Sequence, residues 1–78
     1  MSRDTKLKKH SVRISGHNTS ITLEQPFWDV LQHIAHEKKL SMNTLISEID
    51  QSRKENNLSS ASRLFVLDYL QQKANIRL

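Results

Sequence analysis

The five residues Thr19-Ser20-Ile21-Thr22-Leu23 decide how the chain is interpreted, because polar and apolar side chains alternate along them. Ser20 and Thr22 fall on one side of an extended chain. Ile21 and Leu23 fall on the other side, which is the period-two pattern of a strand with one wet and one dry face. A lone strand leaves its backbone groups unpaired. We therefore expect this strand to pair antiparallel with the same strand of a second copy, forming a ribbon with a free polar face.

The length and composition of the chain favour such a pairing. The chain has 78 residues and no cysteine, and its length predicts one domain. A domain of this size is marginally stable without disulfides, metal or oligomerisation, and the missing cysteines exclude disulfides and thiolate zinc. Oligomerisation is the remaining means of stabilisation. Because no apolar run is long enough for a membrane span or a signal peptide, we expect a cytoplasmic protein.

The formal net charge of +4 is concentrated at the N-terminus. Residues 1–13 hold five basic residues and one acidic residue, whereas the charges of the remaining residues cancel. We expect residues 1–10 to form a flexible basic arm, followed by a single domain at residues 11–78. A charged terminus can be a solvated tail, but beside a polar strand face it is better explained as an arm that contacts phosphates.

A second alternating stretch, residues 11–15, precedes the first, but its apolar side chains fall on even positions and those of residues 19–23 on odd ones. One continuous strand would therefore point the two apolar sets to opposite faces. If His17 and Asn18 formed a two-residue turn, a hairpin would bring both sets to one face. The alternative is an extended arm that kinks at Gly16. The sequence leaves both arrangements open.

Two helices are predicted after the strand from apolar side chains that recur at three- and four-residue spacing. The first runs from about residue 25 to residue 39, and Pro26 suits its first turn. Trp28 lies off the centre of its apolar stripe, and we expect it to pack across a dimer seam. The second helix begins after Ser41, which is a suitable N-cap, and continues to about residue 54.

A third helix is predicted after an N-cap at Asn57 or Ser59. It is apolar almost all round over residues 64–70, which implies burial on more than one side, and residues 71–78 are expected to fray. The strand and the first two helices are expected to supply the dimer core: Ile21, Leu23, Phe27, Leu31, Leu45, Ile46 and Ile49.

The order of strand, helix and Ser-capped helix resembles the ribbon-helix-helix family of bacterial DNA-binding proteins, the Arc and MetJ type. Ser20–Leu23, the stripe of the first helix and Ser41–Ile46 carry the resemblance. Other stretches between Lys9 and about Gln71, among them Asn57–Ala61, resemble a small bacterial subfamily with an extra C-terminal helix. The resemblance implies a mainly α protein with a short β-ribbon. It also implies an intertwined homodimer with antiparallel intersubunit strand pairing plus a third helix.

The implied function is sequence-specific binding of double-stranded DNA by a transcriptional repressor or autoregulator, which inserts the ribbon into the major groove. Carried over by position, with Arg13 added if the hairpin exists, the base-reading side chains would be Arg13, Asn18, Ser20 and Thr22. Phosphates would be bound by the N-terminus of the second helix, as helix dipoles favour, and by the basic arm. These phosphate-binding residues would be Ser41, Met42, Asn43, Lys6, Lys8 and Lys9. The implied partners are duplex DNA, a second copy and, on DNA, further copies.

Other functions have weaker support in the sequence. His33 and His36 have a spacing that could share a metal, but with only Glu37 beside them and no cysteine they are more simply solvent-facing. One glycine leaves little room for an oxyanion nest, so we expect no enzyme and no cofactor. The principal alternative is a protein-interaction module, such as an antitoxin that binds a toxin or an adaptor, without direct base readout.

Overall fold

The computed structural model describes residues 6–54 and 57–75. In these residues two antiparallel strands are followed by three helices. The elements are β1 (Leu7–Ile14), β2 (His17–Glu24), α1 (Gln25–Lys38), α2 (Met42–Ser52) and α3 (Leu58–Ala74). This mainly α architecture with a short ribbon and a third helix confirms the predicted fold class. Within the described ranges, no helix has the length and apolar character needed to cross a membrane.

β1 and β2 form a hairpin that is closed by a two-residue turn at Ser15 and Gly16. Both residues have positive φ, 52° and 80°, as in the type I′ turns that match the twist of paired strands. Gly16 adopts this conformation without steric cost. The hairpin is therefore the correct alternative, but its turn at His17-Asn18 was wrong. The turn lies two residues earlier, because glycine accepts the positive φ of the second turn position.

The N-terminal half of β1 corrects the predicted boundary of the basic arm. β1 begins at Leu7, so residues 7–10 belong to a strand. β2 is thereby paired along its whole length within one chain, and the premise that it lacks an intrachain partner is wrong. The run Lys8–His10 shows no apolar alternation, which concealed the strand in the sequence. Residues 1–5 of the predicted arm lie outside the described residues.

The core lies between the inner face of the hairpin and the three helices. Its buried apolar side chains are Val12, Ile21, Leu23, Leu31, Ile34, Ala35, Leu45, Ile46, Ile49, Ala61 and Val66. Of the seven residues predicted for the dimer core, six are buried in this single chain and Phe27 is partly buried. The apolar stripes of the strand and helices therefore form the core of the protomer itself.

The helix ends follow from local hydrogen bonding. The Ser41 hydroxyl oxygen accepts the Thr44 N–H at 3.0 Å, which confirms Ser41 as the N-cap of α2. The side-chain oxygen of Asn57 accepts two N–H groups at the start of α3, so Asn57 is the cap of that helix. α3 continues to Ala74, so the predicted fraying is wrong for residues 71–74, and residues 76–78 lie outside the described residues.

Side-chain contacts attach α3 to the hairpin and to α1, and they explain why its last turns remain helical. The Arg63 guanidinium donates to Glu24, the last residue of β2, at 2.9 Å. The Tyr69 hydroxyl donates to Glu37 on α1 at 3.0 Å, and the Lys73 ammonium lies 3.5 Å from the same carboxylate. These contacts give the C-terminal turns of α3 partners on α1.

Trp28 packs between α1 and the hairpin. Its ring stacks on His10 of β1, with ring centroids 3.9 Å apart and planes 7° from parallel. Trp28 therefore joins α1 to the hairpin within one protomer, and its predicted place across a dimer seam stays a prediction. The contact also explains how a histidine can occupy an inner-face position of the strand.

Candidate nucleic-acid interface

The outer face of the hairpin is a continuous polar surface built from both strands. Antiparallel partners lie side by side on the same face of a sheet. The polar partners on this face are Lys9 with Thr22, Ser11 with Ser20, and Arg13 with Asn18, and the exposed Leu7, paired with Glu24, ends the face. Five of the six polar side chains in these three pairs are exposed, and Thr22 is half-buried. Because Val12, Ile21 and Leu23 occupy the opposite, buried face, the pleat itself directs the six polar side chains outward. We call these six residues the polar face.

All four side chains predicted to read bases lie together on the polar face. The structure adds Ser11, which was missed, and Lys9, which was assigned to the arm. The signal that could have found them is the pair Ser15-Gly16. Placing the turn at these two residues sets the register in which positions 9, 11 and 13 lie directly opposite Thr22, Ser20 and Asn18.

The two strands contribute different chemistry to the polar face. β1 supplies the cationic side chains Lys9 and Arg13, whereas the three residues of β2 are uncharged. At the far end of β2, the Glu24 carboxylate is held by Arg63. The pKa of Glu24 lies below its ordinary value because its own backbone N–H and the Arg63 side chain stabilise the charged form. The negative charge at this end of the hairpin is thus compensated within the protomer.

The N-terminus of α2 lies beside the outer edge of β1. The Asn43 side-chain oxygen accepts the main-chain N–H of Arg13 at 3.0 Å, so that oxygen is occupied. Arg13, Gly16, Asn43 and Thr44 line one shallow surface depression. The first N–H groups of a helix have no intrahelical partner and favour an anion. The predicted phosphate site at the start of α2 therefore lies next to the polar face, and the Glu48 carboxylate lines the same depression.

The basic residues near the N-terminus are distributed over both faces of β1. Lys9 lies on the polar face opposite Thr22, whereas Lys8 opposes Leu23 and lies on the inner side of the sheet. Lys6 precedes β1 and is exposed. The structure therefore does not bring the three lysines together as one arm.

His10 occupies an unusual position beneath the polar face. Its Nε2 atom is buried and has no hydrogen-bond partner in the described part of the chain. Burial lowers the pKa of His10, the nearby Lys8 lowers it further, and Asp29 opposes the shift. The stacked neutral ring therefore acts as an inner-face side chain, which places α1 against β1.

The alternative sites suggested by the sequence are also located. His33 and His36 are exposed on α1, and His33 Nε2 lies 3.6 Å from Glu37. A hydrogen bond from Tyr69 is the main cause that lowers the pKa of Glu37, and burial is the main cause that raises that of Tyr69. Across residues 6–54 and 57–75, no three His, Cys, Asp or Glu side chains group together as metal ligands would. The contacts of Glu37 with Tyr69 and Lys73 instead tie α1 to α3.

A polar two-stranded ribbon, a helix that follows it directly and a second, Ser-capped helix beside the ribbon define the ribbon-helix-helix class of domain. The family model described as "Ribbon-helix-helix domain" matches residues 7–70, and the chain belongs to this family. The match confirms the resemblance predicted from the sequence. It includes β1 and most of α3. Domains of this non-enzymatic regulatory family generally bind DNA and form dimers.

A solved structure shows a similar fold. An uncharacterized protein from Bordetella pertussis Tohama I matches 94% of this chain with a TM-score of 0.79 and 35% sequence identity. The chain covers 62% of the Bordetella chain, which is less than two thirds of its length. No curated protein matches the chain.

Proposed function

We propose that the protein is a sequence-specific DNA-binding regulator, a bacterial repressor or autoregulator that places its polar face in the major groove of duplex DNA. The observation that carries this proposal is the polar face itself. Six polar side chains of two paired strands point outward together, opposite a buried apolar face. The major groove admits a two-stranded ribbon and presents a distinct donor and acceptor pattern for each base pair. Duplex DNA as the ligand implies a cytoplasmic location.

The side chains of β2 have the chemistry of base contacts. The Asn18 amide can form two hydrogen bonds to adenine, and the Ser20 hydroxyl can donate to or accept from a base edge. The Thr22 hydroxyl can do the same, while its methyl group can contact a thymine methyl. Because all three side chains are short, β2 must approach the base edges closely. The buried side chains of Ile21 and Leu23 anchor β2 on the core, and the Trp28 stack on His10 anchors the neighbouring β1.

Phosphate contacts would position the ribbon in the groove. The backbone N–H groups of Met42 and Asn43 form an anion site at the start of α2, with Ser41 as its cap. Lys6 adds a cation before β1. Such contacts supply affinity and register but carry no sequence information.

The functional unit in this proposal is a homodimer joined at the outer edge of β2. In a two-residue hairpin the residue pair that closes the turn, here Ile14 and His17, is hydrogen-bonded, and hydrogen-bonded and non-hydrogen-bonded pairs then alternate along the strands. The N–H and C=O groups of Asn18, Ser20 and Thr22 belong to the non-hydrogen-bonded pairs and therefore point away from β1. The Arg13 N–H, which points outward to Asn43, agrees with this alternation. An unpaired edge is a template for another strand. Antiparallel pairing of two β2 strands gives one sheet whose polar and inner faces are both continuous.

The outer side of α3 supports a second candidate function. Leu64, Leu67 and Leu70 are 51%, 48% and 44% exposed. The predicted burial of α3 on several sides is therefore incomplete in one protomer. Exposed apolar side chains of this kind suit a protein partner, which could be a toxin, an adaptor target or further copies on DNA. This surface is separate from the polar face, so DNA binding and protein binding can coexist.

Selection of bound duplexes from a random pool tests the proposed function. We expect enrichment of a motif with two-fold symmetry, because a symmetric dimer presents the same polar face twice. The control is a variant in which Asn18, Ser20 and Thr22 are all replaced by alanine. It should melt close to the wild type and lose the enrichment. Equal binding of the wild type to all duplexes would contradict sequence-specific recognition.

A further inference from the structure

We infer that the two strands of the hairpin have separate roles on DNA, with β1 lying along the phosphate walls of the major groove and β2 reading the bases between them. This inference rests on the proposed function and on the β2–β2 dimer. It assigns Arg13, predicted from the sequence to read bases, to phosphate contact together with Lys9.

The chemistry of the two strands supports this division. On the polar face, β1 presents Lys9 and Arg13, the long cations that phosphates attract. β2 presents an amide and two hydroxyl groups, which form selective hydrogen bonds with base edges. The pattern is a strip of positive charge beside a neutral hydrogen-bonding strip. A groove in DNA has the complementary pattern, with neutral base edges at its floor and negative phosphates along its walls.

The width of the sheet gives the same assignment. Two hairpins joined at β2 make a four-stranded sheet in the order β1, β2, β2 and β1. Neighbouring strands lie roughly 4.8 Å apart, so the two outer strands are separated by about 14 Å. The major groove is about 12 Å wide and admits two strands. The central β2 pair therefore fits inside the groove, and each β1 strand lies at a wall.

The attachment of β1 to α2 is an independent observation that places β1 on the phosphate side. The hydrogen bond from the Arg13 N–H to Asn43 joins the outer edge of β1 to the N-terminus of α2. The Arg13 side chain and the start of α2 share one depression. Arg13 and the start of α2 thus lie at one rim of the sheet, where Glu48 also lines the depression. Lys9 lies further along β1 on the polar face, and β2 lies on the far side of β1 from α2.

The salt dependence of DNA affinity tests this assignment directly. Lys9→Ala and Arg13→Ala should each remove two phosphate contacts per dimer, and each contact contributes about 0.9 to the slope of log affinity against log salt. The slope should therefore become shallower by about two. Affinity for a selected duplex and for an unrelated duplex should fall by the same factor. Arg13→Lys should keep the wild-type slope, because it keeps the charge.

Lys8→Ala is the matched control. Lys8 was predicted from the sequence to bind phosphate as part of the arm, but it is the neighbouring cation on the same strand and lies on the inner side. It should leave the slope close to that of the wild type. Melting curves of every variant confirm that only folded protein is compared. Unchanged slopes for Lys9→Ala and Arg13→Ala would overturn the inference. If Arg13→Ala lost the preference for a particular base at one position of the selected duplex, the inference would also be overturned, because Arg13 would then read a base. Failure of the proposed function is distinguishable, since the wild type would then prefer no duplex.

Discussion

Replacing Ile21 by alanine should destabilise the protein by about 2–5 kcal/mol, the usual cost of truncating a fully buried isoleucine. Ile21 is 1% exposed and lies on the inner face of β2, at the centre of the core beneath the hairpin. A domain of 78 residues has a total stability of about 4–12 kcal/mol. The substitution therefore removes a large fraction of that stability. In the proposed dimer it should also weaken association, because the truncated side chain belongs to the strand that pairs.

The assay is urea denaturation followed by circular dichroism, with sedimentation of the same samples. Ile21→Val should cost only about 0.5–1.5 kcal/mol, which separates the loss of one methylene from the loss of the side chain. Ser20→Ala, next in sequence but on the polar face, should stay within about 0.5 kcal/mol of the wild type. If Ile21→Ala were as stable as Ser20→Ala, the assignment of the two faces would be refuted. A folded monomeric Ile21→Ala would refute the coupling of folding to association.

Three further predictions concern other parts of the molecule. Because the pKa of His10 is lowered, the unfolded chain takes up a proton as the pH falls below the ordinary histidine value while the folded chain resists it. Stability is therefore lost as the pH falls through that window, and denaturation series should show a smaller loss for His10→Phe. Ser62→Ala should leave stability unchanged or raise it by up to about 3 kcal/mol in thermal melts, since its buried hydroxyl lacks a partner among the described residues; a clear loss would indicate a hidden partner. Deleting residues 1–6, which spares β1, should weaken binding to all duplexes alike and make the salt slope shallower; an unchanged slope would make this segment a solvated tail.

The face assignment of β2 could be predicted from sequence because alternation in residues 19–23 is unambiguous and only one register buries Ile21 and Leu23. The cap at Ser41 could also be predicted, since the local hydrogen bond to Thr44 needs no tertiary contact. The extent of β1 could not be predicted from the sequence. Its inner face carries His10, which becomes compatible with burial only when the Trp28 ring covers it. That contact joins residues distant in sequence.

The polar face shows the same limit. The assignment of Asn18, Ser20 and Thr22 to the polar face could be predicted from the alternation of one strand and from the matching positions of the family. The pairing of Ser11 and Lys9 with β2 required the register, which depends on a turn at Ser15-Gly16 that the sequence analysis did not predict. The role of Asn43 was likewise hidden, because its side chain bonds the backbone of Arg13, thirty residues earlier.

The most direct test of base reading by the ribbon is a titration of wild type and Thr22→Ala against a selected and an unrelated duplex at one salt concentration. The matched control is Thr19→Ala, the same substitution in the same strand on the inner side. Thr22→Ala should melt almost like the wild type and bind the selected duplex about 1–3 kcal/mol more weakly, with non-specific binding almost unchanged. Thr19→Ala should leave both affinities close to those of the wild type. If Thr22→Ala weakened both duplexes equally, or changed neither, Thr22 would not read a base and the ribbon would not be the recognition surface.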